Sequence, residues 1–231
     1  MKYPKALWVI CLLAVCLSSC IKLSEKIHFN KDGSGTYYFE LDLGGLGKTM
    51  DTFGNDERKG ELFKILEGFS SRIEELNRRM NTVNGLSNVE VSYDSTTYIT
   101  RFGFDFTGVP ALNEGLETLY STGPANGAQP FFSASKKRLT RNDRDPFTKL
   151  ILQNDLLEEA EMEMLRIVLR ELHIESTLSF DGTVRKYSNK DYRRQDDQSL
   201  RWIKYIFSAR DEDKSLANTI DLKGMKFAKR K

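Results

Sequence analysis

Apolar and polar positions alternate clearly in the stretch from Lys22 to Gly44. Ile27 and Phe29 interleave with Lys26, His28 and Asn30, and Tyr37, Phe39, Leu41 and Leu43 repeat the two-residue period on the other side of Lys31-Asp-Gly-Ser-Gly35. A period of two is the pattern of a half-buried strand, and Asp-Gly between two such runs supplies the positive φ of a tight turn, so this stretch predicts a β-hairpin. The pattern then changes. From about Glu57 to Asn84, the residues Leu62, Ile65, Leu66, Phe69, Ile73, Leu76, Met80 and Val83 recur at spacings of three and four. That spacing is the stripe of a helix with one buried face, closed by Asn84-Gly85.

Alternation returns in Val89–Tyr93 and Tyr98–Phe106, which predict a second hairpin across Asp94–Thr97. A short helix is expected from Pro110 to Tyr120, a surface loop after it through Gly127, and a strand over Phe131–Thr140. Asp155–Leu172 predicts a second main helix, with Leu157, Ala160, Met164, Ile167, Val168 and Leu172 on one stripe. Three strand-like runs follow at Ile174–Phe180, Leu200–Phe207 and Leu216–Leu222. Hairpins interrupted by helices, without regular helical crossovers, imply an α+β class. The expectation is an antiparallel sheet of several hairpins with two main helices packed on one face.

The first twenty residues follow neither period. Lys2 and Lys5 give a positive start, Ala6–Leu17 is an uncharged apolar run, and Leu17-Ser-Ser-Cys20 ends it. A positive start, a short apolar centre and small residues before a cut form a secretory signal, and the apolar run is shorter than the ~20 residues that span a bilayer. Leu17-Ser18-Ser19-Cys20 resembles the lipobox of bacterial lipoproteins. That resemblance implies cleavage between Ser19 and Cys20, with acyl chains on Cys20 that anchor the chain in a membrane; several chains hold far better than one. The expected organisation is a removed signal over 1–19, a single α+β domain over 20–222, and a solvated basic tail over 223–231 containing Lys223, Lys226, Lys229, Arg230 and Lys231.

Processing changes the composition that matters. The signal holds two of the 35 basic residues and none of the 33 acidic ones, so the mature chain carries equal numbers of each. A nucleic-acid partner is not expected, because that footprint needs a basic excess on a domain or face. Cys11 and Cys16 leave with the signal and Cys20 is capped, so no disulfide or free thiol is expected and stability must come from a packed core.

Candidate chemistry is sparse. Asp42-Leu-Gly-Gly-Leu-Gly-Lys-Thr49 ends like a phosphate-binding loop, but Asp42 stands where that loop needs glycine and would repel phosphate, so no nucleotide is expected. His28 and His173 lie on the polar side of their strands, and their spacing suggests no metal site and no cofactor. A Ser–His–Asp set meets only in space, and no Gly-x-Ser-x-Gly elbow nominates its serine. Asp56-Glu57, Glu158-Glu159 and Asp211-Glu-Asp213 read as helix starts and solvated loops. Met80, Met162 and Met164 could line an apolar groove, but such stripes more often pack against a sheet.

The hairpin Ile27–Leu43, directly after a lipobox, resembles the start of the LppM-type lipoprotein domain, in which an Asp-Gly-Ser-Gly turn joins two strands ahead of a long helix. Tyr98–Phe106 with Leu112-Asn113 is similar to the family's later strand and its turn into a helix. The family's closing part often has a proline-containing strand, whereas Ser179-Phe-Asp-Gly-Thr-Val184 has none. The resemblance implies an envelope lipoprotein without enzymatic activity and carries over no catalytic residue.

The expected function is therefore a non-enzymatic, lipid-anchored envelope protein that binds a partner protein or an apolar or lipid ligand. A structural subunit of an envelope assembly is the alternative, and an envelope hydrolase a further one. Ile21 follows Cys20 in place of the aspartate that retains many lipoproteins in the inner membrane. No acidic run follows either, so the outer membrane, facing the periplasm, is the expected location in a Gram-negative host.

Overall fold

Strand β1 (Lys22–Phe29) turns back into β2 (Gly35–Asp42), in register from Lys22 opposite Asp42 to Phe29 opposite Gly35. The turn forms as its sequence predicts. Asp32 Oδ1 accepts from the Ser34 backbone N–H at 3.0 Å, and Gly33 takes φ +91°. The computed structural model of the chain describes residues 22–44, 73–94, 96–120, 129–145 and 172–227. The second hairpin is β3 (Leu86–Asp94) with β4 (Ile99–Phe106), followed by helix α1 (Val109–Tyr120) with Pro110 in its first turn, where a missing N–H costs nothing.

Two sheets result. The larger runs β3-β4-β2-β1-β7-β10-β9, with β7 at His173–Phe180, β9 at Arg193–Asp196 and β10 at Ser199–Tyr205. The smaller runs β5-β6-β11-β8, with β5 at Phe132–Ser135, β6 at Arg138–Arg141, β8 at Thr183–Tyr187 and β11 at Asn218–Lys223. The class is α+β, as the patterning predicts. One feature departs from a purely antiparallel sheet: at its centre β1 pairs with β7 in parallel, Lys22 beside His173 through to Phe29 beside Phe180. These strands are far apart in the chain, so no turn chemistry records their pairing.

Other boundaries shift for local reasons. The strand expected over Phe131–Thr140 is a hairpin of β5 and β6, reversed at Lys136 with φ +52°. Residues 73–80 are helical and bury Met80, which packs in the core. Phe69 and the part of that stripe before Ile73 lie outside the described residues, as does the helix expected over Asp155–Leu172, Met162 and Met164 included, up to its last residue. Leu172 itself is described and buried in the core. The solvated tail expected from Lys223 begins inside the fold instead. Lys223 ends β11, and Met225 and Phe227 are buried because apolar side chains there close the core.

The core lies between the inner faces of the two sheets and α1. Phe29 is its hub: it stacks on Phe180 with ring centres 5.6 Å apart and meets Phe106, Phe132 and Phe227 edge-on. Edge strand β5 is tied to α1 by one amide. Asn113 Nδ2 donates to the Phe132 carbonyl and its Oδ1 accepts from the Phe132 N–H, both at 2.8 Å. That pairing satisfies backbone groups an edge strand would otherwise leave open.

Candidate functional site

The alternation that buries Leu23, Ile27 and Phe29 also turns Glu25 inward, because it shares their face of β1. Ser176 sits beside it on the inner face of β7, and Arg141 enters from β6 of the other sheet. Arg141 Nη1 lies 2.7 Å from Glu25 Oε2 and donates to Ser176 Oγ at 2.7 Å, while Ser176 Oγ donates to Glu25 at 2.7 Å. Burial alone would lower the Arg141 pKa, but the Glu25 carboxylate outweighs it and holds the guanidinium charged. Tyr37 and Tyr120 share a hydrogen bond of 2.5 Å nearby, and burial pushes both phenols well above their ordinary range. Tyr192 donates to the Leu216 carbonyl at 3.0 Å and is pushed up to about 12, chiefly by burial. The buried Glu25–Arg141–Ser176 set thus joins the two sheets, with the three phenols packed around it.

His28 and His173 both lie in the central strands. His28 Nδ1 is 3.0 Å from Ser179 Oγ, and its Nε2 is 3.4 Å from Asp181 Oδ1. A serine, an imidazole and a carboxylate are thus in line, the arrangement that acyl transfer uses. The surroundings differ from a hydrolytic centre. Ser179 is the next-to-last residue of β7, paired between β1 and β10, and the N–H groups that follow it are committed, Phe180 to the Gln198 carbonyl and Asp181 to that of Phe29, each at 2.9 Å. No backbone donor beside Ser179 is left to hold an oxyanion. His173 opens β7 with its ring 5.3 Å from that of Tyr205.

Other sequence candidates separate. Cys20, Ser19, Asp56-Glu57 and Glu158-Glu159 lie outside the described residues, and of Asp42–Thr49 only 42–44 are described. Asp211, expected in a solvated loop, is buried. It accepts from the Tyr205 N–H at 2.8 Å and pairs with Lys214 at 3.0 Å, so it fixes the turn after β10. Among the described residues no three His, Cys, Asp or Glu side chains gather as metal ligands do.

Sequence reading missed a groove on the outer face of the smaller sheet, about 460 Å³ in volume, lined by Lys137, Arg138, Arg185, Lys186 and Asp221. Arg138, Asp221 and Lys186 stand in one row across β6, β11 and β8. The register slips between Asp221 and Leu222, which leaves Arg185 as an extra residue in β8 and exposes it beside Lys186. A bulge of this kind re-aims side chains that strict alternation would send to opposite faces. Arg138 Nε donates to Asp221 Oδ1 at 2.8 Å, which holds the carboxyl below its ordinary range. Lys137, Arg185 and Lys186 make no ion pair among the described residues. The consecutive cations at 137–138 and 185–186 were the only trace in the sequence, and nothing local showed that they meet.

The chain is similar to the folded domain of LppM from Mycobacterium tuberculosis, solved by NMR, over 91% of each chain at 10% identity and a TM-score of 0.45. No protein-family model matches the chain, and no curated protein matches it in sequence.

Proposed function

We propose that the chain is an envelope lipoprotein: it is cut after Ser19, acylated on Cys20, and works by binding a partner protein or an apolar or lipid ligand without catalysing a reaction. One observation supports the anchored reading most directly. Strand β1 begins at Lys22, two residues beyond Cys20. An acylated Cys20 would then be joined to the central hairpin by two residues or fewer. In a Gram-negative host the domain would face the periplasm from the outer membrane, since Ile21 follows the cysteine.

Intact-mass and peptide analysis of the protein purified from membranes tests the anchor. The expected mature N-terminus is Cys20 with its thiol and amino group acylated, and Cys20→Ser should leave the chain uncleaved or free of the membrane. An unmodified Cys20 in the mature protein would overturn the reading.

The line of Ser179, His28 and Asp181 favours a second reading, a serine hydrolase. The committed N–H groups at 180 and 181 weigh against it. A fluorophosphonate probe decides: labelling of Ser179 that is lost in His28→Ala would establish the hydrolase and displace the binding role.

A further inference from the structure

The groove on the smaller sheet has more positive charge than its setting requires. Lys137, Arg138, Arg185 and Lys186 surround one carboxylate, Asp221, in a mature chain whose acidic and basic residues balance. Among the described residues only Arg138 makes a close ion pair, with Asp221; Arg185 and Lys186 share the field of that one carboxylate, and the bulge in β8 turns both to the same side. Like charges packed this closely repel one another, so the arrangement stores a cost that an anion removes. The row Arg138–Asp221–Lys186 crosses three strands, each spacing ~4.8 Å, so the cations are spread over roughly 10 Å. A guanidinium presents a planar fork to oxyanions and an ammonium a point charge, the pair of donors that phosphate recognition uses.

We propose that this groove binds an extended chain of phosphate groups. The spread of the cations asks for several anionic groups in series rather than one. The surplus over a single retained carboxylate suits the high charge density of phosphate. Position indicates the source. The Lys136–Lys137 turn is tied to the far end of β1: the Phe227 N–H donates to the Lys136 carbonyl, the Lys226 N–H to that of Lys31, and Phe227 packs on Gly33. The groove is thus at the end of the molecule opposite Lys22. The direction it faces rests on the proposed anchor, whereas the binding itself does not. With Cys20 in a bilayer, the groove faces away from that bilayer, toward a phosphate polymer and not toward neighbouring headgroups.

Titration calorimetry of the purified full-length protein with short-chain linear inorganic polyphosphate tests the site at low ionic strength. Binding should be saturable and weaken with salt. Orthophosphate should bind at least about tenfold more weakly, and the double variant Arg185→Ser, Lys186→Ser should lose about tenfold or more. Arg79→Ser, on the exposed end of a helical segment, should change nothing. Asp221→Asn should tighten binding about threefold by freeing Arg138, a gain that loss of folding could not imitate. Thermal melts of the variants control for unfolding, Arg185 and Lys186 being exposed and Asp221 partly so. Full affinity in the Arg185/Lys186 variant, or no polyphosphate binding at low salt, would overturn the site. Polygalacturonate binding as tightly would overturn the phosphate assignment. Displacement of polyphosphate by vesicles of phosphatidylglycerol in phosphatidylcholine would make the ligand a headgroup and overturn the polymer. None of these outcomes depends on whether Cys20 is acylated, which the mass analysis reads separately.

Discussion

Glu25 and Arg141 are both almost fully buried, at 2% and 3% side-chain exposure, and each satisfies the other through atoms that water cannot reach. Such a pair contributes little net stability, because desolvation of two charges offsets their attraction. Removing one partner is different, since the remaining charge stays buried and unpaired. Arg141→Met should therefore cost about 3–5 kcal/mol, read from denaturant midpoints. The double change Glu25→Leu, Arg141→Met should recover most of that loss, and a double variant as unstable as the single one would show that the pair contributes more than mutual neutralisation. The half-exposed Arg101–Glu40 pair, at 3.0 Å, makes the contrast. Its removal should leave the denaturant midpoint almost unchanged, because solvent screens it.

Hairpin β1–β2 depends on one glycine in a way that its turn does not advertise. A Cβ on Gly35 would lie 1.8 Å from the His28 carbonyl oxygen and 2.7 Å from the Phe106 ring. Gly35→Ala should therefore break the pairing next to Phe29 and destabilise by more than about 3 kcal/mol, with loss of soluble protein as the first sign. A variant with an unchanged melting temperature would mean that the strands part there without penalty. Gly35 also shows what local pattern conveys. The hairpins, α1 and the strands 174–180 and 200–205 were legible because alternation, turn residues and helical spacing are written within a few residues. Strands β8 and β9 were missed because Arg185-Lys186 and Arg193-Arg194 carry no apolar alternation; they are held by neighbours distant in sequence. The parallel pairing of β1 with β7 was invisible for the same reason, and so was the groove, whose halves come from β6, β8 and β11. Glu25 could have been read: it shares the parity of Leu23, Ile27 and Phe29, and a carboxylate on an apolar face announces a buried partner.

At the scale of the molecule, the two sheets are fastened by groups that respond to alkali. Tyr37, Tyr120 and Tyr192 lie at their junction, and burial raises each phenol, Tyr192 to about 12. A pKa raised in the folded state means that the fold retains its proton when the unfolded chain has lost it. The stability these groups contribute is present in full below about pH 10 and falls as pH rises toward the folded value, by about 1.4 kcal/mol per pH unit for each tyrosine. Melting temperature should hold to about pH 10 and drop steeply toward pH 12. Tyrosinate absorbance from the three should appear only as the protein unfolds. Tyrosinate that forms while circular dichroism stays native would mean that the junction is open to water.

If Cys20 carries the proposed anchor, the two-residue step to the start of β1 would also set how far this protein can reach. Two residues extend at most about 7 Å, so a chain acylated at Cys20 has almost no leash. Long flexible tethers let a domain search a hemisphere of solution, with reach growing as the square root of their length. Here the sheet would stand on the bilayer as a post, its working height fixed by its own strands. Eight residues of β1 rise roughly 25 Å, which would hold the Asn30–Ser34 turn and the nearby groove at a constant standoff from the lipid for a strand standing along the bilayer normal. Partners would have to come to that height, and neighbouring copies would present their grooves in one plane, so that a polymer lying parallel to the membrane meets many at once. Avidity would then come from surface density rather than from any single site.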